Sequence, residues 1–292
     1  MRSGCAVVIF AYNEERGIGR ALYSVLANLP PVGDTRIHVM ANGCTDRTVE
    51  VVRAIAQQHP CVNLLVIELP DKCNAWNTYV HDIADDCPIH FFMDGDLSCS
   101  PNAFGIMASK LDAVPHANAV AGVPQSGRNR DVYVGCMQRW GWVFGNLYAV
   151  RGAHLERIRQ AKLRLPLGLR GNDHIITRLM HSDLAAPWTE KPERVTFDLR
   201  AGYVFERLKP YLPRDVRLYY RRMITYRWRQ LQLARMAKIP LVRLPPDMSE
   251  IDRDILAELR ARPPRPWDHF TRQVVRRLQR RYGRPTVSEP RA

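Results

Sequence analysis

Long apolar runs are missing from this 292-residue chain. Nowhere do about 18 apolar residues follow one another, the length that a membrane-crossing helix needs. Paired cysteines are missing too. The seven cysteines stand singly at 5, 44, 61, 73, 87, 99 and 136, with no C-x-x-C spacing. An odd, scattered set, partly inside apolar runs, argues against a disulfide framework or a cysteine zinc site and fits a reducing cytosol. No basic segment, long apolar stretch or small-residue cleavage site precedes the first apolar run, so no secretory leader is expected. There is no G-x-x-x-x-G-K-S/T loop and no G-x-G-x-x-G after that run, which disfavours a P-loop NTPase and a standard dinucleotide-binding dehydrogenase. What remains, at 46% hydrophobic and 25% charged, has the composition of an ordinary globular protein.

Acidic charge is scarce in one region only. The formal net charge is +14, yet residues 1–204 hold 21 Lys+Arg against 20 Asp+Glu. Residues 205–292 hold 22 against 9, with no cysteine and many Arg, Pro and aromatic residues. This shift predicts a catalytic-size α/β domain over 1–204 and a basic, mostly helical extension over 205–292. Pro-containing stretches at 239–246 and 262–266 mark breaks between its helices.

Within the first region apolar runs alternate with amphipathic stretches. Cys5 to Phe10 reads as a strand buried on both faces. Asn13 is expected to cap a helix over 17–29, with Glu14 and Glu15 in its first turn. A strand at 36–40, a helix at 48–58, a strand at 64–69, a helix at 75–84 and a strand at 89–93 follow. The alternation predicts a mainly parallel sheet with helices on both faces. Ligands of such sheets sit at the carboxyl ends of the strands, where the polar motifs fall.

Asp94-Gly95-Asp96 directly follows the fourth strand. Two carboxylates flanking a small residue suit a hard divalent cation, which magnesium-type sites complete with phosphate oxygens. Asp-Gly-Asp is also good turn chemistry, so a solvated turn stands beside the metal reading.

Six blocks in order carry a resemblance. Val7 to Glu15 resembles the first strand and loop of the family 2 glycosyltransferases, which have the GT-A fold. Asn42 to Thr48 is similar to the family's second nucleotide-contacting turn, and Lys72 to Asn77 to its Lys-x-x-Ala-x-Asn helix start. Asp94-Gly95-Asp96 stands at the place of its metal-binding D-x-D motif, Gly145 to Gly152 at its acceptor-side strand and Arg turn. Gly171-Asn172-Asp173 stands where an acidic pair ends in the catalytic base.

The resemblance implies a GT-A enzyme that moves a sugar from a nucleotide-diphosphate donor, a UDP-sugar by expectation, to a hydroxyl acceptor with inversion. It implies a divalent metal, manganese or magnesium. Ala11, Tyr12 and Glu14 would flank base and ribose, and Asn42, Lys72 and Asp94 would add donor contacts. Asp96 and Asp94 would hold the metal, and Asp173 would take the acceptor proton. Arg151, Asn172 and His174 would face the acceptor, although an ordinary ion pair serves Arg151 as well. Two departures stand out: Ala41-Asn42 where the family has an Asp that helps to recognise uracil, and Asn172 where it commonly has Glu. Ile224-Thr225-Tyr226-Arg227-Trp228 keeps the Arg-Trp of the processive synthases' Q-x-x-R-W motif without its Gln. One sugar per encounter is therefore expected.

Other residues leave alternatives open. His38, His81 and His90 lie in or beside apolar segments and read as core or edge histidines. Trp140 and Trp142 suit either core packing or stacking on a sugar. In the tail, Arg side chains interleave with Tyr, Trp and Leu, and 268–282 patterns as a basic amphipathic helix. An anionic membrane surface is the expected partner, with packing onto the domain as the plain alternative. Nucleic acid is disfavoured, since no nucleic-acid motif accompanies the charge. The reading is thus a cytoplasmic enzyme, peripheral to the inner membrane face, acting on a lipid-linked or cell-envelope acceptor. The other readings are a non-catalytic basic binding module on the same scaffold, or a nucleotidyltransferase.

Overall fold

The computed structural model describes residues 4–29, 34–127, 129–184, 189–206 and 209–283. The chain divides into two compact units. One comprises Met1–Leu165 with Asn172–Arg207, the other Pro166–Gly171 with Leu208–Ala292.

The first unit is built on β1 (Gly4–Ala11), whose residues Cys5 to Ala11 are all buried. Each buried Val, Ile or Phe contributes about 1.5–3 kcal/mol over exposure, so this apolar run has no competing place to go. β1 pairs in parallel with β2 (Asp34–Asn42) on one side and β4 (Ile89–Asp94) on the other, and β2 with β3 (Val62–Ile67). Three helices cover this parallel part. α1 (Ile18–Leu26) buries Ile18, Ala21, Leu22 and Val25, the i, i+3, i+4, i+7 stripe of an amphipathic helix. α2 (Thr48–Gln58) and α3 (Lys72–Thr78) follow β2 and β3, and a π turn (Tyr79–Ile83) continues α3.

Beyond β4 the sheet becomes mixed. The remaining strands are β5 (Leu97–Cys99), β6 (Ala119–Pro124), β7 (Leu147–Arg151) and β8 (Val195–Phe205), in the sheet order β3-β2-β1-β4-β7-β6-β8-β5. β7 runs antiparallel to both β4 and β6. The helices between them are α4 (Ala103–Ala113), α5 (Arg130–Trp140), α6 (Gly152–Gln160) and α7 (Asp173–His181).

Two sequence expectations change here. Asn13 does not cap α1, which begins at Ile18 without a side-chain cap. Asn13 takes a left-handed conformation (φ 55°), and its Oδ1 accepts from the N–H groups of Thr45 and Asp46 at 2.7 and 3.3 Å. It laces the loop after β1 to the loop after β2. The helix at 75–84 starts three residues earlier, because Asp71 caps it by accepting from the Cys73 and Asn74 N–H groups.

The second unit is helical: α8 (Pro213–Met236), α9 (Ser249–Ala261) and α10 (His269–Tyr282). Its interior holds a polar knot. Asp252 is fully buried, and its Oδ1 accepts from Trp228 Nε1 at 2.8 Å and from Gln232 Nε2 at 2.9 Å, while Tyr282 OH donates to Oδ2 at 3.3 Å. Arg227 donates to Thr271 Oγ1 at 2.6 Å. The Arg227-Trp228 pair therefore holds helices together. No helix among the described residues is long and apolar enough to cross a membrane.

Candidate active site

The register of the parallel strands fixes the site. Ala11 stands opposite Ala41, Phe10 opposite Asp94, and Asn42 opposite Ile67, so the polar residues after β1, β2 and β4 share one sheet edge. Gly95 N–H donates to Phe10 O at 2.8 Å. A Cβ on Gly95 would lie 3.0 Å from that oxygen and 3.2 Å from Ile18 Cδ1. The close approach of β1 and α1 is the reason a glycine separates the two carboxylates.

Lys72 opens α3, and its ammonium pairs with Asp94 Oδ1, donates to Gly145 O at 3.2 Å and lies 5.6 Å from the Phe10 ring centroid. Asp94 is tied in turn to the strand beyond, its N–H donating to Asn146 O at 2.9 Å. A Cβ on Gly145 would be 3.4 Å from Asp173 Cβ, 3.7 Å from Asn172 Oδ1 and 3.9 Å from Lys72 Nζ. Gly145 is thus the point where the residues after β3, after β4 and at the start of α7 meet. Burial raises the Asp94 carboxyl to about 6; Lys72 opposes the rise, and Asp96 and Asp173 add to it. Asp173 is the first residue of α7, after Asn172 in the cap position, and Asp173 Oδ1 accepts from the His174 N–H at 3.1 Å. Asn172 is 6% exposed, and its Nδ2 has no partner among the described residues. A buried amide donor left open costs about 1–3 kcal/mol, which makes this atom a candidate contact for a bound molecule.

The donor side is laid out along the same edge. Tyr12 is 50% exposed, beside Asn13. Ala11 packs its side chain in the core, so it offers only backbone, and Asn42 is buried at the end of β2. Glu14 N–H donates to Thr48 Oγ1 at 2.7 Å, and the Glu15 N–H to Asp46 Oδ2 at 3.1 Å, which fixes the loop after β1.

Among the described residues no three His, Cys, Asp or Glu side chains form a metal cage. Asp96 and Asp173 both act on Asp94, which Lys72 also faces. Two carboxylates two residues apart at a strand end suit a hard cation that phosphate oxygens would complete.

Arg151 lies elsewhere. It pairs with Ile89, at the amino end of β4, because β7 runs antiparallel to it. Its guanidinium donates to the carbonyls of Leu111, Ala117 and Val114, so it closes the end of α4. Among the described residues it makes no ion pair, and its contacts are to these three carbonyls. His174 is half-buried on α7 beside Asp173. His38, His81 and His90 are structural: His38 Nε2 meets Asp85 Oδ2 at 3.1 Å, His81 the Leu163 carbonyl, and His90 the Tyr79 hydroxyl. Trp140 and Trp142 are exposed, so the core reading of them does not hold. The Gly145 carbonyl, the Phe10 ring under Lys72 and the Asp71 cap escaped sequence reasoning. Only the Asp-x-Cys-Asn helix start hinted at the last.

The family model for Glycosyl transferase family 2 matches residues 6–167. No curated protein sequence matches the chain. Among solved structures, the mannosyltransferase PcManGT from Pyrobaculum calidifontis, in complex with GDP-Man and Mn2+, aligns with a TM-score of 0.61 at 17% identity over 95% of this chain and 85% of its own. S. aureus TarS 1-349, in complex with UDP-GlcNAc, gives 0.57 at 16% identity over 96% and 72%. Glucosyl-3-phosphoglycerate synthase from Mycobacterium tuberculosis gives 0.55 at 18% over 82% and 81%. These likenesses show a shared GT-A fold.

Proposed function

The chain belongs to glycosyl transferase family 2 and is a glycosyltransferase, and on that premise we propose that it moves one sugar from a nucleoside-diphosphate donor to a hydroxyl acceptor with inversion. The observation that carries this reading is the convergence of Lys72, Asp94, Asn172 and Asp173 on Gly145 at the carboxyl end of the parallel strands.

Asp173 takes the proton of the acceptor hydroxyl. The freed oxygen bonds to the anomeric carbon from the face opposite the diphosphate, and the bond to the diphosphate breaks. Asp173 is the first residue of α7 and brings to this edge the carboxylate that a general base requires. Asn172 Nδ2 donates to an oxygen of the incoming sugar or acceptor. Tyr12, Glu14, Asn42 and the Ala11 backbone hold the nucleoside, for which uridine is our first choice. Asp96 and Asp94 would hold a manganese or magnesium ion, which would supply positive charge to the diphosphate leaving group. Lys72 keeps Asp94 oriented. The solved neighbours were captured with GDP-Man, UDP-GlcNAc and UDP-glucose, which supports a nucleotide-sugar donor here.

An anionic membrane surface is the partner proposed for the second unit. Residues 209–222 carry Lys209, Arg214, Arg217, Arg221 and Arg222 against Asp215, and Tyr211, Val216 and Tyr219 are exposed among them.

The test is a thermal-shift titration with UDP and GDP, each with and without Mn2+. A nucleotide at 100 times its Kd adds about 2.7 kcal/mol of stability. Stabilisation by one nucleotide that depends on the metal is the expected result; no stabilisation by either contradicts the reading.

A further inference from the structure

The segment from the end of α5 to the start of β7 alternates between inside and outside. Gly141, Val143 and Gly145 are buried, while Trp140 and Trp142 are 44% and 40% exposed and Phe144 is half-buried. Three successive outward positions, 140, 142 and 144, hold aromatic rings, and Asn146 takes the fourth. The rings form a continuous row: Trp140 to Trp142 at 5.3 Å between centroids, Trp142 to Phe144 at 5.9 Å, and Phe144 to Tyr133 of α5 at 4.1 Å.

The inward positions pin this row in place. Gly141 has φ +57°, and a side chain there would collide with the Pro192 carbonyl. Its own carbonyl meets His181 Nε2 at 2.9 Å. Val143 N–H donates to Thr177 Oγ1 at 3.0 Å, and Thr177 Oγ1 donates back to Val143 O at 3.2 Å. Thr177 lies one turn after Asp173 on α7, so the row is clamped to the helix that carries the candidate base. Gly145 at its end packs against Asp173. Exposed apolar rings held this firmly, on a segment whose alternation would permit polar residues, mark a binding surface.

Resting on the glycosyltransferase reading above, we propose that this row is the acceptor subsite and that the acceptor is a carbohydrate. Its rings stack on Trp142 and Trp140, with the reacting hydroxyl at Asp173. A pyranose presents a C–H face to the negative face of an aromatic ring and keeps its hydroxyls on the rim. Those hydroxyls meet Asn172 Nδ2, the buried donor without a partner, one residue from the base.

The experiment offers the full-length protein, with UDP- and GDP-sugars and Mn2+, an array of immobilised glycans beside hydroxyl-bearing peptides and glycerol lipids. Label is expected on glycans. For the best of them Trp142→Ala raises the acceptor KM about tenfold, leaves the donor KM unchanged, and Trp142→Phe recovers most of the loss. Label confined to peptides or lipids overturns the proposal, as does wild-type kinetics in both Trp140→Ala and Trp142→Ala. Binding of nucleotide without label on any glycan also overturns it, whereas failure to bind either nucleotide with Mn2+ overturns the glycosyltransferase reading itself.

Discussion

In the first unit β1 buries seven consecutive residues, Cys5 to Ala11; in the second, the 24-residue α8 buries four, Ile224, Trp228, Gln232 and Met236, one of them polar. The first unit holds all seven cysteines and nearly balanced charge, the second the basic excess. A strand covered on both faces writes its burial into the sequence as a run. A helix half in water spaces its buried positions by four and fills the rest with arginine. The comparison teaches where each unit is vulnerable: the first in the carboxylates at its strand ends, the second in the polar contacts inside it.

The largest expected effect falls on the first unit. Asp96→Ala should lower transfer by at least about 10²-fold, since several kcal/mol of charge stabilisation go with a lost metal. Circular dichroism should be unchanged, because Asp96 lies outside the packed core. Full activity of this variant in EDTA would remove the metal from the account.

The second unit should break at Asp252. Asp252→Ala leaves Trp228 Nε1 without its acceptor, at about 1–3 kcal/mol, and Gln232 Nε2 with the 3.4 Å contact to Gly168 O. Calorimetry should show unfolding of helical structure at lower temperature, with nucleotide binding retained; an unchanged thermogram would mean that the polar knot is dispensable.

Acid should separate the units in the opposite sense. Burial, seconded by Arg159, lowers His90 to about 4, and burial with Arg157 lowers His154 to about 4. Both fold as neutral rings, so their stability is whole above the ordinary value of 6.5 and is lost as pH falls towards 4. At pH 5 the loss is about 2 kcal/mol for each. Both belong to the first unit, so its transition should move between pH 7 and 5, and His90→Gln should flatten that slope. A pH-independent first transition would contradict the burial argument.

The smallest effect is at the membrane. The full chain should sediment with anionic vesicles and leave them as salt rises, since exposed charges are screened over about 8 Å at physiological ionic strength. Equal binding to neutral vesicles would take the arginines out of the interaction.

The blocks Val7 to Glu15, Asn42 to Thr48, Lys72 to Asn77 and Asp94 to Asp96 end or follow an apolar run that reads as a buried strand, and the parallel register sets those strand ends along one sheet edge. Asp173 follows no strand, so its place beside Gly145 could not be read from an apolar run. Arg151 was not legible either: its place depends on β7 running antiparallel to β4, a pairing that no local pattern encodes. Asn13 looked like a cap because Asn followed by two Glu is good capping chemistry, but the tie to Thr45 and Asp46 is non-local. The spacing of Trp140 and Trp142 suits core and surface equally, and only the burial of the glycine and valine between them turns the rings outward. The partners of Asp252 lie on other helices, so no local pattern marks it.

The central claim is that Asp173 is the base, and Asp173→Asn tests it most directly. Asn cannot take the proton, and it leaves the cap at Asn172 and the start of α7 intact. The account predicts a variant with wild-type melting temperature and metal-dependent nucleotide binding whose transfer rate is about 10²–10⁴-fold lower. Transfer near the wild-type rate would contradict it and leave the inverting displacement without a base.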